Sequence, residues 1–242
     1  ANKMNFIKAE VFRISRKKVF YFAFFVLVCF ALFYCKTAEG REPETLIRES
    51  LTYGTVVIPV IFIPVYLQVW QIDFGSRFIN NILVSGISRI FYYFGKLMIM
   101  YLLGSVLTLV YSLGVFGWSY CLGGAFPIHE FLPVIAAQLL LYLVVITVGL
   151  MLYIAVDSVA LSTAVYLLFI ILFENLIDTV MKQMHISIEK ISSYMIMQNL
   201  SKAVYVSDLG KSEIDSMIVG GIILWFASVI ISISILTGRE YK

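Results

Sequence analysis

Gly210-Lys211-Ser212 matches the tail of a phosphate-binding loop, in which backbone amides and a lysine cradle a nucleotide's phosphates. That loop needs a first glycine at 205, and the residue there is Tyr205. The match is therefore read as chance. Metal chemistry fares no better. His129 and His185 lie in different segments without ligand spacing, and no H-E-x-x-H occurs. No G-x-S-x-G elbow offers a nucleophile. Cys29, Cys35 and Cys121 form no C-x-x-C, which argues against a disulfide framework and a zinc site. Three acids remain near apolar runs. Asp157 sits in a tight turn, where a turn or capping role suffices. Glu174 and Asp178 lie near the outer end of the fifth apolar run, where they either line an exit path or solvate a helix end. No catalytic constellation is legible, and no cofactor or metal is expected on this chain.

These few groups are set in a chain of 242 residues that is 61% hydrophobic, 15% aromatic and 14% charged. Soluble domains carry about 25% charged residues, and the mean hydropathy here is +0.93. A water-soluble fold is excluded, as is a disordered chain, which would be poor in aromatics. A membrane span needs about 20 mostly apolar residues, because the hydrocarbon core is ~30 Å thick and a helix rises ~1.5 Å per residue. Six runs qualify, at 19–35, 51–72, 91–117, 132–156, 159–177 and 217–237. Their apolarity is continuous rather than alternating, which predicts helices and not barrel strands. The expected fold class is an all-α polytopic membrane protein with six transmembrane helices. The first run is read as a span and not as a cleaved signal, since the residues after it lack a small-x-small site.

Lys and Arg accumulate on the cytoplasmic side of spans. With the amino terminus inside, the inner segments hold eleven basic and four acidic residues, and the outer segments seven basic and eleven acidic. Both termini are therefore expected in the cytoplasm. The asymmetry points to an anionic inner leaflet, and not nucleic acid, as the partner of the basic surface.

Residues 1–18 concentrate that charge. Phe6, Ile7, Val11 and Ile14 recur at helical spacing, and Lys8, Arg13, Arg16, Lys17 and Lys18 surround them. This predicts a cytoplasmic amphipathic helix on the inner surface. Its basic residues serve as positive-inside anchors or also touch a cytoplasmic partner. Pro59 and Pro64 in the second run remove backbone donors and predict a kink. The segment 178–216 is long for a loop, yet apolar at Ile186, Ile191, Met195, Leu200 and Val204.

Between the second and third runs the chain carries Asp73, Gly75-Ser76-Arg77, Ile82-Leu83 and Ser85-Gly86-Ile87-Ser88-Arg89, and Lys96 opens the third span. This resembles the first cytoplasmic loop of type-2 ABC exporter permeases. There an acid precedes a Gly-Thr pair, followed by a leucine-rich turn, Ser-Pro-Val-Ser-Arg and a lysine. Asp73 stands for the acid and Gly75-Ser76 for the Gly-Thr pair, while Gly86 replaces the proline. Residue matches are confined to this loop; the architecture agrees along the chain.

The resemblance implies that loop 73–90 holds a coupling helix, with Asp73, Gly75, Ser76, Arg77, Ser88 and Arg89 docking to an ATPase. It implies a permease subunit that is not itself an enzyme. ATP and Mg would bind two separate ABC ATPase subunits, and a second permease chain, the same or related, would complete the assembly in the lipid bilayer. The expected role is export of an amphipathic or lipophilic substrate, such as an antimicrobial peptide, or bacteriocin immunity, in a bacterial plasma membrane. Loop 178–216 would form short helices acting as an outer gate, with Glu174 and Asp178 beside the exit path; its apolar faces fit a partner-binding or lipid-contact surface equally well. A reading from another class is a non-transporting assembly factor or sensor that binds a cytoplasmic partner.

Overall fold

A computed structural model of the chain describes residues 2–37, 42–71, 87–123, 128–156, 158–184 and 189–238. Among these residues every regular element is helical. Backbone polar groups in lipid must bond within their own segment, which a helix achieves and an open strand cannot. Five helices are long and apolar enough to cross a membrane: Pro43–Gln71, Arg89–Cys121, Phe131–Ala155, Val159–Gln183 and Lys211–Gly238. Asn5–Ser15 and Lys18–Tyr34 reach that length and apolarity only together, as a pair bent by 59°, which makes a sixth span if the pair is one. The chain is an all-α polytopic membrane protein.

Helix α1 (Asn2–Ser15) buries Phe6, Glu10 and Ile14. They are four residues apart and so share one helix face. Phe6 packs on the rings of Phe91 and Tyr92, with centroids 6.3 and 5.9 Å away. Ile7, Val11 and Phe12 form a second, exposed apolar strip. Helix α2 (Lys18–Thr37) turns Ala23, Leu27 and Ala31 inward and Tyr21, Phe22, Phe25 and Phe33 outward.

Helix α3 (Pro43–Tyr66) begins with a proline where a missing N–H costs nothing. Inside it, Pro64 removes the donor that the Val60 carbonyl would otherwise meet. One turn later the helix widens into a π-helical turn, Leu67–Gln71. With α4 (Arg89–Gly123) and α5 (Ile128–Ala155), α3 makes the core. Tyr66 stacks on Tyr153 at 4.9 Å and donates its hydroxyl to the Ile146 carbonyl at 3.1 Å. Hydrogen bonds between spans contribute only about 0.6 kcal/mol each, so close packing carries most of the association.

Helix α6 (Val159–Leu168) is capped by Ser158, whose hydroxyl accepts from the Leu161 amide at 3.5 Å. It passes through a second π-helical turn, Phe169–Phe173, into α7 (Glu174–Gln183). Then come α8 (Glu189–Ser192), α9 (Ile196–Lys202) and a 3-10 turn, Ala203–Tyr205. Helix α9 and this turn fold back onto α3 and α5, burying Leu200, Ala203 and Val204 completely. Helix α10 (Lys211–Gly238) runs against α5. Its Gly220 meets the Ser193 carbonyl so closely that no Cβ fits there.

Candidate functional site

At the end of the bundle that carries α1, three elements converge on Lys96. Its ammonium group is fully buried. It donates to Glu10 Oε2 of α1 at 2.6 Å and to the Val69 carbonyl of the first π-helical turn at 2.8 Å. The Tyr92 ring lies beneath it, 5.4 Å from Nζ. Arg13 Nη2 reaches the same Glu10 oxygen at 2.7 Å. One carboxylate thus neutralises two cations, and burial is tolerated because each charge is paired and hydrogen-bonded.

Both stems of the segment between α3 and α4 are fastened nearby. On one side Gln71 Nε2 donates to the Tyr153 carbonyl at 3.4 Å and to Ser162 Oγ at 3.5 Å. On the other, Ser88 Oγ accepts from the Phe91 amide at 3.3 Å, an N-cap for α4. Arg89 Nη1 donates to the carbonyls of Leu236 and Thr237 at 3.0 and 2.9 Å. A cation at a helix carboxyl end satisfies orphan carbonyls and opposes the dipole. Arg89 therefore ties α4 to α10. Asp73, Gly75, Ser76 and Arg77 lie outside the described residues.

Helix α1 ends at Ser15, short of the expected 18, and the basic residues between positions 8 and 18 divide into two groups. Arg13 is drawn into the junction at Glu10, whereas Lys8, Arg16, Lys17 and Lys18 stay exposed. Arg16 lies over the Phe12 ring at 4.2 Å. With the exposed strip of Ile7, Val11 and Phe12, these four give α1 and the turn that follows it an interfacial character.

At the opposite end the two acids near the end of the fifth apolar run part company. Asp178 pairs with Lys182 at 2.6 Å on the helix surface, as a solvated helix end would. Glu174 is buried, at 6% exposure. Its Oε1 accepts from the Met197 amide and its Oε2 from the Gln198 amide, both at 2.8 Å. The carboxylate so holds α9 against the fifth span, and it borders a cavity of about 340 Å³ between α3, the second π-helical turn and α9. Beside it, Thr55 Oγ1 and Ser201 Oγ lie 3.3 Å apart. A larger cavity of about 590 Å³, lined by Leu140, Val144, Gly221, Ile222 and Trp225 among others, lies between α5 and α10 and is almost wholly apolar.

Arg48 fastens the same end. It reaches Glu44 at 3.0 Å, Asp208 at 3.3 Å and the Val204 carbonyl at 3.2 Å. Sequence patterns alone single out neither Arg48 nor Glu10, and mark Lys96 only as the close of the loop. Glu10 does carry a signal: it stands four residues from Phe6 and from Ile14, an acid inside an apolar stripe. Arg48 carries none, since its partners Val204 and Asp208 lie far along the chain. Among the described residues no group of three or more His, Cys, Asp and Glu is placed to hold a metal ion. A scan against protein-family models finds no match to this chain, and a search of curated proteins likewise finds none.

Proposed function

We propose that the chain is the membrane-spanning permease subunit of an ATP-driven exporter of the type-2 ABC kind, driven by separate ATPase subunits and moving an amphipathic or lipophilic substrate. The observation that carries the reading is the fastening of both stems of the loop between α3 and α4. Gln71 is tied to α5 and α6, Val69 to α4 and α1 through Lys96, and Arg89 to α10. A permease without a nucleotide site must receive work mechanically. A loop rooted in five helices passes a rigid-body push to the spans, whereas a loosely tethered loop absorbs it.

In this reading the α1 end faces the cytoplasm of a bacterial plasma membrane. The loop carries the coupling helix, with Asp73, Gly75, Ser76 and Arg77 in the ATPase cleft. Ser88 and Arg89 act at its base. A second permease chain completes the assembly, and antimicrobial peptides are the cargo class most consistent with the family resembled.

The test is affinity purification of the tagged chain from its native membranes, followed by vanadate-sensitive ATP turnover in nanodiscs. A protein with a complete phosphate-binding loop is expected to stay bound. Asp73→Ala is expected to leave membrane insertion normal and to cut turnover at least tenfold, because truncating a desolvated interfacial charge costs about 2–5 kcal/mol. Purification without any ATPase overturns the reading in favour of a non-transporting protein.

A further inference from the structure

We infer that the cavity beside Glu174 binds the ammonium group of a cationic amphiphile, as a cargo-recognition site of the exporter proposed above. The inference rests on that reading only in naming the ligand as cargo; the site itself belongs to this chain alone.

The wall chemistry is two-sided. Glu174, Asn175, Gln198, Thr55 and Ser201 supply polar atoms, and Val56, Ile170 and Ile171 supply an apolar side. Both Glu174 oxygens accept backbone amides, the pattern of an ionised carboxylate, and a carboxylate has about four acceptor sites. Lone pairs therefore remain for a further donor. No lysine or arginine lines the cavity, and among the described residues no cation is paired with Glu174. Neutral amides hold the charge without cancelling it. A cation entering from outside does cancel it, and an anion is repelled. Asn175 spends its amide Nδ2 on the Ile171 carbonyl at 3.0 Å, which leaves its Oδ1 as an acceptor. The site is thus rich in acceptors, as an ammonium group with three donors requires.

Position selects an amphiphile over a free cation. Glu174 stands where the fifth apolar run gives way to polar sequence, the depth at which an ammonium head sits with its tail in hydrocarbon. Val56 and Ile171 on the rim are exposed, so a tail can leave along the flank between the second and fifth spans. The fifth span is only 22% buried, so this flank is uncovered within the chain. A purely apolar ligand fits the larger cavity between α5 and α10 better, because that one offers almost no polar contact.

The test compares phenethylammonium with propylbenzene, its neutral carbon isostere. Each is titrated calorimetrically into the full chain in nanodiscs, with empty nanodiscs as reference. Phenethylammonium is expected to bind saturably and at least tenfold more tightly than propylbenzene. Glu174→Gln, which keeps the shape and removes the charge, should weaken it at least tenfold. Val56→Trp fills the cavity from its exposed rim without touching the carboxylate and should do the same. It carries the test alone if Glu174→Gln loosens α9. Equal binding of the two probes overturns the inference, as does no saturable heat above the empty discs, or unchanged affinity in Val56→Trp. No ATPase is needed, so the two readings fail separately. A retained ATPase with no cation binding removes the site and leaves the exporter. Cation binding in a chain that recruits no ATPase removes the exporter and leaves the site.

Discussion

A lysine with no exposed surface must be neutralised by its own fold, and Lys96 is neutralised by a residue 86 positions earlier in the chain. Removing one partner of a buried pair costs about 3–5 kcal/mol, chiefly because it strands the other charge. The two partners are not equivalent. Lys96→Met leaves Glu10 with Arg13, whereas Glu10→Gln withdraws the shared carboxylate charge from both Lys96 and Arg13. Glu10→Gln is therefore expected to destabilise more than Lys96→Met. The double variant should recover about 1–3 kcal/mol of the summed loss. Thermal unfolding in detergent measures all three, and strictly additive effects would show that the pair does not join α1 to the bundle. The acid at position 10 is legible in sequence as an oddity within an apolar stripe. Its partner is not, because no spacing rule links residues in different helices. Glu174 gives the same lesson from the other end. Its place near the end of an apolar run marks it as an exit-path or helix-end residue, but its partners are the amides of Met197 and Gln198.

The elements divide by how local their signals are. Each span is written in one continuous apolar run, so its existence follows from composition within a window. The boundaries extend past those runs. Helix α3 starts at Pro43, several residues before the apolar stretch at 51, because its first turns bury Leu46 and Ile47 against neighbours, whereas α10 starts at Lys211 with a polar first turn and buries no residue before Met217. The segment after α7 is the least local of all. Its apolar residues resemble a surface patch in sequence, yet Leu200 and Val204 are buried between α3 and α5. Gly220 sets how closely α10 approaches this segment, since the facing atom is a backbone carbonyl that cannot rotate away. Gly220→Ala is expected to speed amide hydrogen exchange in Ile196–Lys202 at least tenfold while leaving α1 unchanged. A methyl group on Gly117 would meet nothing within 4 Å. Gly117→Ala should therefore leave exchange in that segment as it was and gain up to about 1 kcal/mol of helix propensity. Equal exchange in the two variants would mean that α9 is held without α10.

At the scale of the whole molecule, burial and charge are both uneven. The spans beginning at Pro43, Arg89 and Phe131 are 56%, 56% and 61% buried, and those beginning at Val159 and Lys211 only 22% and 28%. The first three form the centre. The last two present apolar faces that need lipid or a second copy of the chain to cover them. Charge divides along the other axis. The formal net charge of +3 conceals +7 on one set of connecting segments and −4 on the other. The helical geometry brings each set to one end: α1, Lys96 and Arg89 meet at one, and Arg48, Asp208 and Glu174 at the other. The basic end is hard to translocate, so it is expected to remain in the cytoplasm. With Cys29, Cys35 and Cys121 replaced by alanine, single cysteines report the side directly. Glu44→Cys and Ser212→Cys should react with a membrane-impermeant maleimide in intact cells, and Ser15→Cys only after permeabilisation. All three positions are exposed, so failure to react reads as sidedness and not as burial. Labelling of Ser15→Cys in intact cells would turn the molecule over, carry the loop of Asp73 and Arg77 to the outside, and remove the ATPase from reach.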